Sequence, residues 1–133
     1  MIHTLNKLVC GFHCDAYGHV NNARYLEFFE EARWTALNDY DLVQKLHARQ
    51  LQFFVVNINV DFKKPVVTDD VAFISTHLGN IKRKTISFIQ TIEVSGQTTT
   101  KAEVTFVLFD TKEKRAVSIT DDLIALFKPL EHA

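Results

Sequence analysis

Asp15 opens the stretch Asp15-Ala16-Tyr17-Gly18-His19-Val20-Asn21-Asn22, which holds a glycine and ends in asparagines suited to the N-cap of a helix. A carboxylate just ahead of a helix faces backbone N–H groups that have no partner inside that helix. Amides at about Asn22 and Ala23, aided by the positive end of the dipole, are placed to bind the oxygen of a polarised carbonyl. Asp15 would then attack the carbonyl carbon or activate a water that does so. The competing reading makes Asp15 a loop aspartate bonded to its own turn, a frequent habit of this side chain. Residue chemistry by itself favours the second reading.

His19 either orients Asp15 or substrate, or is a loop imidazole satisfied by backbone. Asn21 and Asn22 read as caps that fix the loop, and Tyr25 as a packing residue whose hydroxyl reaches toward the site. Cys14, beside Asp15, is a weaker nucleophile candidate because no histidine partner is placed for it locally. Cys10 and Cys14 are the only cysteines. Four residues of extended strand would separate them by roughly 13 Å, too far for a disulfide. They read as reduced thiols. Glu27, Glu30 and Glu31, with Arg24 and Arg33, read as a stripe of local ion pairs at helical spacing. His3, His13, His19, His47, His77 and His132 are scattered and show no paired ligand spacing, so no metal site is expected. Phosphate-cradling glycine loops and the Gly-x-Ser-x-Gly elbow are missing too.

The elements that must position these groups follow from periodicity. Thr4 to Cys14 reads as a strand with Leu8, Cys10, Phe12 and Cys14 on one face. Tyr25, Phe28, Phe29, Ala32 and Ala36 then mark a helix with one broad apolar face, and Leu26, Trp34 and Leu37 extend it round the cylinder. Such a helix should lie deep. A short second helix is expected around Leu42 to Ala48. Phe54, Val56, Ile58, Val60 and Phe62 alternate with Val55, Asn57, Asn59 and Asp61 in a strand that ends before Pro65, and Val71 to Leu78 makes a further strand. Thr85 to Val94 and Thr98 to Asp110 form a hairpin about Ser95-Gly96-Gln97. Val117 to Ile119 adds a short strand piece, and Thr120 caps a final helix, Asp121 to Phe127, stopped by Pro129.

The order predicts an α+β protein in which a curved antiparallel β-sheet wraps a central long α-helix. An open edge strand predicts a homodimer or homotetramer that continues the sheet. The 133 residues, at net charge −1, suit one domain over 1–133 without a general appetite for nucleic acid. No apolar run approaches the ~20 residues of a membrane span, and the first residues lack a secretory layout. The expected location is cytoplasmic.

Phe12-His13-Cys14-Asp15-Ala16-Tyr17-Gly18-His19-Val20-Asn21-Asn22-Ala23-Arg24-Tyr25-Leu26 resembles the signature of the 4-hydroxybenzoyl-CoA thioesterase family of hotdog-fold proteins. The family pattern is an aspartate after the first strand, then Gly-His-Val-Asn-Asn or a relative, then a tyrosine early in the central helix. Pro65-Val66, Asp70-Val71 and Lys84-Thr85-Ile86-Ser87-Phe88 extend the resemblance over nearly the whole chain. It implies hydrolysis of an acyl-CoA thioester to an acid and free coenzyme A, without a metal or cofactor, coenzyme A being part of the substrate. The catalytic set it implies is Asp15, His19 and Asn22, and Tyr25 contacts substrate. Glu31 is the reserve, since some relatives carry the carboxylate on the central helix. In the family a basic run like Lys82-Arg83-Lys84 grips coenzyme A phosphates, and Lys63 and Lys64 are a second candidate. An acyl pocket is expected between subunits, lined by the helix and Val55 to Val60, for a short, branched or aromatic group. The alternatives are an acyl carrier protein thioesterase and a non-catalytic acyl-CoA sensor.

Overall fold

Long runs of β-branched and aromatic residues with few glycines build five long strands, and the apolar Tyr25–Leu37 stretch supplies the helix they wrap. The computed structural model describes residues 2–132. Its elements are β1 (His3–Leu8), α1 (Asn22–Asp39), α2 (Leu42–Ala48), β2 (Leu51–Phe62) and β3 (Val71–Ile81). There follow β4 (Ile86–Val94), β5 (Gln97–Asp110), β6 (Arg115–Ala116) and α3 (Asp121–Leu126), with single 3₁₀ turns at Gly11–His13 and Lys128–Leu130. Every pairing is antiparallel, in the order β1-β3-β4-β5-β2, with the short β6 beside β5. This is the hotdog arrangement. The expected hairpin is present: Val94 faces Gln97 across Ser95 and Gly96, whose φ values of 51° and 77° suit a two-residue turn.

Three readings of the strands need correction, the smallest being the short piece expected at Val117 to Ile119, which lies instead at Arg115–Ala116, paired with the end of β5. The first strand stops at Leu8, and the chain then coils through the 3₁₀ turn instead of continuing to Cys14. Val9 is wholly buried and exchanges its backbone bonds with Asp69 and Asp70 at the mouth of β3, which ends the β1 ladder. The face is also inverted. His3, Leu5 and Lys7 pair with Thr76, Ile74 and Ala72, all buried, while Leu8 is 58% exposed. Second, β2 does not alternate strictly. Its register slips between Val55 and Asn57, so Phe53 and Val55 before the bulge share the inner face with Ile58, Val60 and Phe62 after it. Phe54 is thrown to the outer face, where it stacks on Phe109 at 4.7 Å.

The inner face carries two packed clusters. One joins the first half of α1 (Tyr25, Phe28, Phe29, Ala32) to Val9, Val20, Val66 and Ile74; the other joins Ala36 and Leu37 to α2, β5 and α3. Between helix and sheet lies a buried polar knot. Gln90 donates to the Phe29 carbonyl at 3.0 Å and to Thr76 Oγ1 at 2.9 Å, and accepts from Arg33 at 3.2 Å. Burial holds the Arg33 guanidinium below its ordinary pKa, with Glu30 opposing. Lys7 to Glu31 (2.9 Å) and His3 to Asp39 (2.7 Å) pin β1 to the same helix. The knot fixes how α1 sits in its sheet, because each donor left alone in an apolar layer would carry a desolvation penalty. Replacing Gln90 with alanine should cost about 2–4 kcal/mol, since it strands a buried cation along with two acceptors. Urea melts of wild type and variant give the comparison; a loss below about 0.5 kcal/mol would mean that the knot does not secure the helix.

Candidate active site

The loop ahead of α1 folds as a tight miniature hairpin. His13 accepts from the Asn21 N–H (2.9 Å), Cys14 bridges Val20, and Asp15 donates to the His19 carbonyl (2.8 Å). At the tip the Gly18 N–H reaches the Asp15 carbonyl at 3.0 Å, and Gly18 has φ +75°, the left-handed conformation a glycine takes without strain. Within this hairpin Asp15 Oδ1 accepts from the Tyr17 N–H (2.8 Å) and the His19 N–H (3.3 Å). Both bonds fall on Oδ1, leaving Oδ2 without a protein donor among the described residues. The carboxylate lines a cavity of about 220 Å³ with His19, Asn22, Tyr25, Phe62, Lys63 and Lys64.

The helix mouth is partly closed. Asn21 is the N-cap, and its side chain accepts from the Ala23 N–H at 3.0 Å. That amide is therefore occupied, whereas Asn22, one residue before it, lines the cavity. Tyr25 is buried and its hydroxyl accepts from the Val66 N–H at 3.1 Å, leaving its own proton to donate. Burial pushes this phenol above its ordinary pKa. The Val20 N–H in turn donates to the Val66 carbonyl at 2.8 Å, and His19 bridges Val67. Phe62, the last residue of β2, meets Tyr25 edge-on at 5.0 Å. Loop, helix and the β2–β3 connection thus meet at one point.

The structure gathers Asp15, His19, Asn22 and Tyr25, but not the rest of the expected set. Lys82, Arg83 and Lys84 form the β3–β4 connection, where the Arg83 carbonyl accepts from the Ile119 N–H. The Asp15 loop lies against the opposite, Val71 end of β3, roughly 33 Å away by strand length. Lys63 and Lys64 border the cavity itself, with Lys64 donating to Gln97 at 2.6 Å. Glu31 faces β1 through its pairing with Lys7, and Glu27 pairs with Arg24 at 3.0 Å, so neither reaches Asp15. Glu30 lies on the other side, in a cleft with Arg33 and Trp34. Cys10 and Cys14 flank the 3₁₀ turn as free thiols, and Cys14 Sγ lies 3.2 Å from Thr68 Oγ1.

Sequence reading passed over His13 and Phe62. His13 is buried, its Nδ1 accepts from the Cys10 N–H at 2.9 Å, and its ring meets Phe28 edge-on at 4.9 Å. Its signal was available: an imidazole beside the aspartate, in a stretch already read as extended.

Residues 10–127 match the family model of the thioesterase-like superfamily, and the chain belongs to that family. Among its relatives is the long-chain acyl-CoA thioesterase FadM of Escherichia coli K12, 42% identical over 86% of this chain and 89% of that protein. The acyl-CoA thioesterase YbgC of Haemophilus influenzae is 31% identical over 88% of each. The crystal structure of YbaW from Escherichia coli, named a probable thioesterase, superposes with a TM-score of 0.92 at 36% identity, covering 98% of this chain and 99% of that one.

Burial, then Lys7 and Arg24, hold the His13 imidazole below its ordinary pKa of 6.5. In the window just under that value the unfolded chain therefore binds more protons than the folded one. Stability should fall as the pH drops through 6.5 toward the folded value and recover on returning to neutrality. His13→Gln keeps an acceptor for the Cys10 amide and removes the titration. Its melting temperature should lose less between about pH 7 and pH 5.5 than that of wild type; equal losses would place the titrating group elsewhere.

Proposed function

We propose that this protein is an acyl-CoA thioesterase whose Asp15 drives hydrolysis at the mouth of α1. The observation that carries the reading is the division of the Asp15 carboxylate: its turn holds Oδ1, Oδ2 has no protein donor among the described residues, and the residue lines the cavity. In the general-base form, Oδ2 takes a proton from water as the water oxygen bonds to the thioester carbon. In the nucleophilic form Oδ2 itself bonds to that carbon, and water later splits the anhydride. Either way the C–S bond breaks, the acid forms, and coenzyme A departs as a thiol once its sulfur is protonated. The Asn22 amide and the dipole of α1 stabilise the negative carbonyl oxygen that develops meanwhile. His19 and Tyr25 line the same cavity and contact the substrate. These groups are sufficient for the reaction, and the reading calls for no resident metal or cofactor.

Likeness to FadM, whose name specifies long-chain acyl-CoA, favours a long acyl tail over a short, branched or aromatic one. The exposed β2 edge, with Phe54, Val55, Val56 and Ile58, supports a dimer in which two such edges pair. That two-fold would carry the partner's basic run to the Asp15 end of this chain, and Lys82, Arg83 and Lys84 would then contact coenzyme A phosphates in trans. Two contiguous cores and the family match over 10–127 support one domain across 1–133. Two unpaired cysteines and a coenzyme A substrate fit a cytoplasmic enzyme.

Asp15→Asn should lower kcat/KM on palmitoyl-CoA by about 10²–10⁴-fold while leaving the melting curve in place. Thiol release at the wild-type rate would remove Asp15 from the mechanism. Alanine at Lys82, Arg83 and Lys84 together should raise KM for coenzyme A esters and spare pantetheine esters, which lack the nucleotide phosphates; an equal rise for both would rule out phosphate contact.

A further inference from the structure

The turn that leads into the Asp15 hairpin is closed by one imidazole. Cys10 and His13 are joined twice across it: the Cys10 N–H donates to His13 Nδ1 at 2.9 Å, and the His13 N–H donates to the Cys10 carbonyl at 3.0 Å. The His13 carbonyl accepts from the Asn21 N–H, so the same residue also shuts the base of the hairpin, two positions before the carboxylate. An imidazole accepts at Nδ1 only while that nitrogen carries no proton, which fixes a neutral ring with its hydrogen on Nε2. His13 is 6% exposed, and its ring lies between those of Phe12 and Phe28, with centroids at 4.2 and 4.9 Å. It walls a cavity of about 280 Å³ with Lys7 from β1 and Arg24, Glu27, Phe28 and Glu31 from α1, apart from the cavity that Asp15 lines. Those four charges are matched in pairs, Lys7 with Glu31 and Arg24 with Glu27. Its own turn carries the Cys10 and Cys14 thiols. With the charges balanced, little offsets the cost of desolvating an imidazolium here.

We propose that neutral His13 is a positioning residue for Asp15: its Nδ1 holds the turn that aims the carboxylate, and a proton on Nδ1 releases the turn and shuts down hydrolysis in acid. The proposal rests on the acyl-CoA reading above and adds the group that sets its response to acid. Protonated, Nδ1 becomes a donor facing the Cys10 N–H, so two donors meet where a bond stood. The hairpin then loses the closure at its base. A shift of about 1 Å in a reacting group costs on the order of 10²-fold in rate. His13 does not line the Asp15 cavity, so the loss falls on kcat and leaves KM in place.

Two substitutions separate the acceptor from the packing. Asparagine sets an amide oxygen level with Nδ1, lacks most of the ring and does not titrate; leucine fills the space and accepts nothing. At pH 7.5, His13→Asn should keep kcat on palmitoyl-CoA within about threefold of wild type, whereas His13→Leu should lose at least about tenfold, with KM unchanged in both. Between about pH 7.5 and pH 5.5, at a temperature where circular dichroism shows every chain folded, kcat should fall several-fold further in wild type than in His13→Asn. His13→Gln, which also offers an acceptor, stands in should the asparagine variant not fold. Leucine as active as asparagine would reduce His13 to packing, and equal acid losses in wild type and His13→Asn would remove the switch; either overturns the proposal. A wild type that releases no thiol from any acyl-CoA at any pH is a separate result, and it sinks the thioesterase reading and this one together.

Discussion

The hydroxyl of Tyr25 is the point on which the site is assembled. It accepts the Val66 N–H, and the Val66 carbonyl accepts the Val20 N–H, so one buried phenol joins α1, the β2–β3 connection and the Asp15 hairpin. Val66 and Val20 are themselves buried, so these amide bonds lie out of reach of competing water. Asn21 then caps the helix from the base of the hairpin, and the backbone of His13 closes the loop on it. The carboxylate is presented by a framework held at three places, which is what placement to a fraction of an ångström requires.

The two sequence readings of Asp15, turn former and catalytic base or nucleophile, make compatible demands on the folded chain. A carboxylate has two oxygens and several lone pairs. Oδ1 spends its capacity on the Tyr17 and His19 amides, which fixes the rotamer. An aspartate committed to its turn with one oxygen is for that reason oriented with the other. The Ala23 amide illustrates the reverse: it is satisfied by Asn21, so on the proposed mechanism only the first turn's remaining amide is left for a carbonyl oxygen.

Much of this was legible because it is local. Periodic apolar positions disclosed α1, the Ser95-Gly96 dipeptide disclosed its hairpin, and the Asp15 to Tyr25 stretch held in one continuous piece the four candidate residues that line one cavity. What escaped depends on distant partners. Alternation in β1 was read on the wrong face because Leu8 is apolar yet lies outward, while Lys7 turns inward to Glu31, a residue in another element. The bulge at Val56 lies in a run where every neighbour is apolar or amide-bearing, so the slip left no mark on the pattern. Phe62 and the Pro65 to Val67 segment reach the site only through the return of β2 alongside α1, which no short-range spacing records.

A single protomer leaves its own carboxylate exposed. Asp15, His19 and Asn22 are all solvent-facing in the isolated chain, and the strand that ends at this cavity is the unpaired edge of the sheet. Electrostatic stabilisation of a developing oxyanion is weak in water and grows as water is excluded. On the proposed dimer the same strand edge that requires a partner for its amides borders the site that requires one for its dryness. The inner-face residues of β2 after the bulge run toward Asp15, and those before it toward a second cavity walled by Val43 and Leu46 of α2. Without the bulge, one set would turn to the outer face. The register slip at Val56 is thus the local irregularity that lets one strand wall two separated cavities.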